Sequence, residues 1–418
     1  MFTRSRINVG LSAAVFTLSG LMYFTRSNDD LAENPRILII PLIFFGVIVL
    51  LQLLFPKQWP KQISFWVGDG AAVVWLVPVF TFLPSLLSSS GRSVQYWLLD
   101  STILILCRLY SIRVPLRDVL EGIFWSGFLV VATLLFFAGE LLLDAVNTLA
   151  RFSAFGFHPN TLAFLLGTYF AVAVWEVAVA PLYKKILGAL TALACLFVIF
   201  LASSRGSLVA AVVSSLIVGV MYCVHERKFK LLWGIPILLC LAIGIFIRSS
   251  SFGDVWESID QVLQISSGGR GMGSGMSGRL DAWQHTWAVL LKGSWIYGNG
   301  VRSSDDLPYP VDNGFLVLLY DMGIVPFFII VGRFISILRQ AFRCYMATGN
   351  DLHMILFFVL LGFLINNIPE RFLFGVGNPS SLFAVMVFAS PWVGLSSRNP
   401  SIAQLRSNPG LDQGRAPA

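Results

Sequence analysis

The sequence predicts an all-α, polytopic integral membrane helix bundle of about twelve transmembrane helices with a long, partly helical outer loop. Three observations predict it. Hydrophobic residues make up 56% of the 418 positions and charged residues only 12%, with mean hydropathy +0.77, too little polar surface to keep a soluble protein of this size in water. The apolar stretches run roughly 18 to 25 residues, the length that crosses ~30 Å of hydrocarbon as a helix. The two-residue alternation of a membrane barrel is absent, which leaves helices to satisfy the backbone inside the bilayer.

In chain order the spans fall near 7–24, 37–55, 65–84, 94–112, 119–143, 160–182, 186–203, 207–224, 231–247, 314–332, 353–369 and 380–395. The first has the basic flank and apolar core of a secretory signal, but its apolar stretch is long and Thr25-Arg26-Ser27 offers no small-x-small cleavage site. It reads as an uncleaved helix. With the N-terminus in the cytoplasm, eighteen of the 29 Lys and Arg fall inside and six in the short outer loops. The other five, Arg248, Arg270, Arg279, Lys292 and Arg302, lie in the long ninth loop. That bias places both termini inside. It also explains the net charge of +7, since the basic residues are scattered over loops with no aromatic-basic nucleic-acid motif.

The resulting organisation is membrane helices 1–9 over residues 1–247, an extracytoplasmic loop over 248–312 carrying part of the active site, membrane helices 10–12 over 313–395, and a disordered cytoplasmic tail over 396–418 rich in Pro, Gln, Ser and Gly. Within the loop, Val255, Ile259, Val262 and Leu263 share one helical face, as do Leu280, Trp283, Trp287, Leu290 and Leu291. Both pieces are expected on the membrane surface or against the bundle. Ser266 to Gly278 between them is rich in glycine and serine and is expected to be mobile. The five cysteines, Cys107, Cys195, Cys223, Cys240 and Cys344, have no CxxC spacing and read as packing residues.

Several chemistries are disfavoured. Gly273-Ser274-Gly275-Met276-Ser277-Gly278 fits GxGxxG, but no strand precedes it and it faces a compartment poor in dinucleotides. No GxxxxGK[ST] is present, which leaves an ATP-driven pump unsupported. Asp305-Asp306 is similar to the metal-holding acidic pair of some sugar transferases, yet reads first as a solvated turn. No metal and no cofactor are expected.

Two arginines stand out. Arg205 lies in Ser203-Ser204-Arg205-Gly206-Ser207 at the outer end of the seventh span, where an unpaired guanidinium is costly. It either binds an anion, or snorkels, or pairs with an acid such as Glu140 or Asp144. Arg279 follows Ser277-Gly278 at the start of the second loop helix, where free N–H groups and the helix dipole also favour an anion. The alternative is an ion pair with Asp281 or another loop acid. Planar guanidinium donors match phosphate oxygens two at a time. His158, in Phe157-His158-Pro159-Asn160, opens the sixth span and is a candidate substrate contact or a structural histidine; His285 is a weaker candidate. Asp69, Asp100 and Glu176 lie within spans and are expected mainly in helix packing.

Phe157-His158-Pro159-Asn160, Ser204-Arg205-Gly206, Ser277-Gly278-Arg279 with Trp283, and Val311-Asp312-Asn313-Gly314-Phe315-Leu316 with Gly323 resemble, in order and spacing, the O-antigen ligase and polymerase family of bacterial membrane glycosyltransferases. The resemblance covers roughly residues 150 to 340. It implies a polyprenyl-pyrophosphate-linked glycan donor, metal-independent transfer at the outer face of the bacterial cytoplasmic (inner) membrane, and paired arginines, here Arg205 and Arg279, on the pyrophosphate. A chain-length regulator and export machinery are the further partners it implies. Ligases of the family typically carry His-Asn where this chain has Asp312-Asn313. The difference favours a polymerase, whose acceptor is another lipid-linked repeat, over a ligase acting on lipid A core or protein. A lipid-glycan flippase is the other alternative, and it should show charges along a midplane path, whereas the distinctive polar residues here gather at one face. Asp312, Arg205 and Arg279 are then the expected catalytic residues, with Asn313, His158 and Asn160 on the substrate. Asp312 is expected to be the general base, or otherwise to cap the helix that follows it.

Overall fold

The computed structural model describes residues 4–24, 43, 45–50, 70–88, 92–148, 151–154, 159–227, 260, 279–293, 295–371, 373 and 378–391. It is an all-α, polytopic membrane protein, with no strand among the described residues. In order the helices are α1 (Arg4–Phe24), α2 (Ala71–Leu87), α3 (Arg92–Arg113), α4 (Leu116–Phe137), α5 (Gly139–Thr148), α6 (Pro159–Val179), α7 (Leu182–Leu201), α8 (Arg205–His225), α9 (Arg279–Lys292), α10 (Gly314–Met322), α11 (Ile324–Thr348), α12 (Asp351–Asn366) and α13 (Pro379–Ala389). Five of them, α4, α6, α7, α8 and α11, are long and apolar enough to cross a membrane. The predicted ninth span, the 255–263 piece but for Asp260, and the glycine-rich stretch lie outside the described residues, as does most of the second span.

Local chemistry sets many of the boundaries. Pro115 and Pro181 precede α4 and α7, and Pro159 and Pro379 open α6 and α13, positions where a missing N–H costs no helical bond. Asn350 and Asn378 cap α12 and α13 by accepting from first-turn N–H groups. Small residues let helices meet closely. A Cβ on Gly122 of α4 would sit 2.3 Å from Ser12 of α1, and one on Gly127 would sit 2.9 Å from Tyr169 of α6. Buried polar groups join α1 to α4 and to α3: Asn8 Nδ2 donates to Asp118 at 3.0 Å, and Ser12 and Tyr110 share a 2.6 Å bond. Cys107, Cys195 and Cys223 are buried free thiols among these helices, and fully buried Arg108 donates to the Ala389 carbonyl at the end of α13 at 2.8 Å.

The predicted span 314–332 is two helices. Gly323 interrupts it at φ 82, ψ 177, a conformation open only to glycine. The break exists because residues 295–300 run against it. Asn299 and Gly300 N–H groups donate to Tyr320 and Asp321 carbonyls at 3.0 and 2.9 Å, and Ile324 N–H donates to Trp295 O at 3.1 Å. These bonds occupy groups that a continuous helix would pair internally. Asp321, 4% exposed, completes the junction by accepting from the backbone N–H groups of Arg302 and Ser304 and from the Ser303 and Ser304 hydroxyls. The loop before α10 is therefore held firmly at one end of the bundle.

Candidate functional site

The segment entering α10 places the predicted acid and its neighbour in different roles. Asn313 Oδ1 accepts from Phe315 N–H at 3.1 Å and Leu316 N–H at 2.9 Å, and is the helix cap. Asp312 is thereby left clear of capping. Its Oδ2 lies 3.4 Å from Nε of Arg279, with 31% of the aspartate side chain and 21% of the arginine side chain exposed. Trp283 Nε1, one turn along α9, donates to the Asp312 carbonyl at 3.2 Å and fixes α9 against this segment. Gly314 closes the arrangement from below. Its N–H donates to the carbonyls of Glu370 at 2.7 Å and Asn367 at 2.9 Å, and a Cβ there would lie 2.8 Å from Asn367 Oδ1.

Arg279 opens the 14-residue α9 and meets a second acid: its Nη2 lies 3.1 Å from Oε1 of Glu370, in the connection between α12 and α13. That oxygen also accepts from Asn160 Nδ2 at 2.7 Å. Asn160, in the first turn of α6, accepts in turn from Arg151 Nη2, and Arg151 Nε donates to the Ala202 carbonyl at 2.8 Å. Burial pushes the Glu370 carboxyl up to about 7, Arg279 and Arg151 holding it below the value burial alone would give and Asp312 acting with burial.

Arg205 begins α8 just after Ser203, whose φ of 52 turns the chain sharply between α7 and α8. Its neighbour Gly206 is pressed on the same α12–α13 connection, where a Cβ would lie 2.6 Å from Cγ of Pro369. Ser207, one residue on, accepts from Asn366 Nδ2 at 3.0 Å. Arg205 thus enters the cluster through the contact of its glycine with the residue before Glu370. The structure brings together Asn160, Arg279 and Asp312, sets Asn313 beside them as a cap, and seats Arg205 next to their common support. His158 lies outside the described residues. His285 packs edge-on against Tyr309 at 4.7 Å.

Sequence reasoning missed Glu370 and passed over Arg151 as one more outer-loop cation. Asn366-Asn367-Ile368-Pro369-Glu370-Arg371, a polar run between two apolar helices, held the only local signal. Asp305, read as part of a solvated turn, sits in a short 3₁₀ turn (Ser303–Asp306) and pairs with Arg302 at 2.8 Å and Arg371 at 2.9 Å. Two cations, Arg279 and Arg151, therefore act on the Glu370 carboxylate, Arg279 also meeting Asp312, while Arg205 opens α8 beside the Gly206–Pro369 contact. Arg279 presents a guanidinium suited to an anion there, with partly exposed Asp312 beside it.

Residues 190–331 match the family model described as O-Antigen ligase. The matched segment starts within α7 and ends within α11, taking in Arg205, Arg279, Asp312 and Asn313 but neither Asn160 nor Glu370. No curated protein matches the chain.

Proposed function

Because the chain belongs to the O-antigen ligase/polymerase family, we propose that it polymerises undecaprenyl-pyrophosphate-linked oligosaccharide repeats into a surface or exported polysaccharide, such as O-antigen or exopolysaccharide. The reaction is an inverting glycosyl transfer. A hydroxyl of the acceptor repeat attacks the anomeric carbon of the donor glycan, the bond from that carbon to the pyrophosphate oxygen breaks, and the hydroxyl proton passes to Asp312. Negative charge growing on the leaving pyrophosphate is met by Arg205 and Arg279, which makes protonation of the leaving group unnecessary and lets the arginines stand where a divalent ion serves in other transferases. Asn160 and His158 border the sugar in this reading, and the Asn313 amide, whose oxygen is held by the cap, has its Nδ2 for the substrate. The site faces the periplasm from the inner membrane, with both termini in the cytoplasm.

The observation that carries this reading is the contact of Asp312 with Arg279 at 3.4 Å, an acid and a phosphate-matching cation side by side at a helix start. The test is product analysis after incubating the purified protein with a lipid-linked repeat. A ladder of lengthened lipid-linked chains is expected. Transfer only to lipid A core or protein would make the protein a ligase, and movement of the repeat across a bilayer without new glycosidic bonds would make it a flippase.

A further inference from the structure

Glu370 is a carboxylate 4% exposed in a place where the proposed reaction brings more negative charge. It joins parts of the chain that are far apart in sequence. Oε1 accepts from Arg279 Nη2 and Asn160 Nδ2, and the main-chain carbonyl accepts from Gly314 N–H beside Asp312. The residue before it, Pro369, packs on Gly206 beside Arg205. The charged groups acting on it are Arg279 from α9, Arg151 behind Asn160, and Asp312 from the segment entering α10.

In the free protein Arg279 already serves two carboxylates. A diphosphate diester carries two negative charges, and on reaching Arg279 it must displace at least one of those acids or share the guanidinium with both. Asp312 is partly exposed, so water can solvate its charge when the ion pair opens. Glu370 has little such recourse, and an ionised carboxylate parted from its cation in a buried place is costly. Taking a proton from water removes the cost.

We propose that Glu370 is a positioning residue that holds Arg279 in the free protein and takes up one proton when the donor's diphosphate replaces it on the guanidinium. The inference rests on Arg279 being the anion site. Protonation of Glu370 removes one negative charge beside Arg279 as the two charges of the diester arrive. The raised position of the Glu370 carboxyl, about 7, means the uptake needs little work near neutrality. The sign follows: Glu370 is increasingly ionised in the free protein as pH rises, and binding that requires its protonated form weakens in the same direction.

The test uses the full-length protein in detergent and a synthetic prenyl-diphospho-N-acetylglucosamine, whose two phosphates are diesters and do not titrate between about pH 6 and 9. Affinity is measured by calorimetry across that range in two buffers of different ionisation enthalpy. Wild type is expected to weaken about tenfold per pH unit above neutrality and to take up about one proton per ligand at pH 8. Glu370→Gln is expected to lose the slope, and Asp312→Asn to keep it. Wild-type affinity without pH dependence, no proton uptake at pH 8, or a slope that survives in Glu370→Gln would overturn the proposal, and the wild-type measurements need no variant to fold. A protein that does not bind the diester at any pH would overturn the phosphate reading of the arginines as well, whereas tight, pH-independent binding removes only the role of Glu370.

Discussion

Asp312→Asn separates chemistry from stability because the structure divides the two roles between adjacent residues. The helix cap belongs to Asn313, with bonds of 3.1 and 2.9 Å to Phe315 and Leu316, and the substitution leaves it in place. What it removes is the charge opposite Arg279 across a 3.4 Å gap, between side chains 31% and 21% exposed. A partly solvated ion pair of this kind contributes about 0–1 kcal/mol, and Arg279 keeps Glu370 as a partner. Loss of a positioned base lowers the rate by roughly 10²- to 10⁴-fold, which is about 2.7–5.4 kcal/mol of barrier. The expected result is a protein that unfolds in detergent within a few degrees of wild type and elongates a lipid-linked repeat at least a hundred times more slowly, by roughly the lower of those limits. Asn313→Ala is the converse, costing about 0.5–2 kcal/mol of stability through the lost cap. Elongation by purified Asp312→Asn within about threefold of wild type would refute the assignment and make His158 the next candidate base.

Arg205→Ala and Arg279→Ala should each nearly abolish elongation at normal protein levels, with Arg→Lys only a partial rescue because the two-pronged phosphate geometry is lost; full activity in both alanine variants would remove them from the mechanism. Wild-type activity should survive a chelator, and a loss restored by magnesium or manganese would promote Asp305 and Asp306 to metal ligands. In a background lacking the native cysteines, a cysteine at exposed Asp306 should react with an impermeant thiol reagent added outside, and one at exposed Glu226 should be spared; the reverse labelling would turn the site to the cytoplasm. Gly323→Ala should lower the detergent unfolding temperature, since its φ of 82 and a Cβ 2.5 Å from Ile296 O combine strain with a backbone clash, of order 1–3 kcal/mol for the strain alone. Gly332→Ala in α11, where a Cβ meets nothing within 4 Å, is the control, and equal effects of the two would disprove the junction's role.

Hydropathy is a local property of the chain, so most of the architecture was legible before any contact was known. The bounds of α6, α7, α8 and α12 fall within a few residues of the spans read from apolar length. Where those local signals coincide with a tertiary constraint, reading went wrong. The run from Gly314 to Gly332 is apolar but for Tyr320 and Asp321 near its middle, and reads as one span. Its interruption depends on the 295–300 backbone, which bonds to Tyr320, Asp321 and Ile324. Asp312 and Asn313 are equally competent caps by residue type, and only the register of α10 against the α12–α13 connection assigns the cap to one and frees the other.

The sequence by itself determined the membrane class, the helix-rich architecture and the expectation that Arg205 and Arg279 bind an anion, because burial cost and helix ends are written in residue type and spacing; the expectation for Asp312 followed from the family resemblance. Tertiary structure alone decided that Asp312 meets Arg279 and that Glu370 supports it. Glu370 lies 91 positions from Arg279 and 210 from Asn160. No periodicity spans such separations, and the physical reason the three meet is that helices packed side by side bring their polar ends to one face of the bundle whatever the chain length between them.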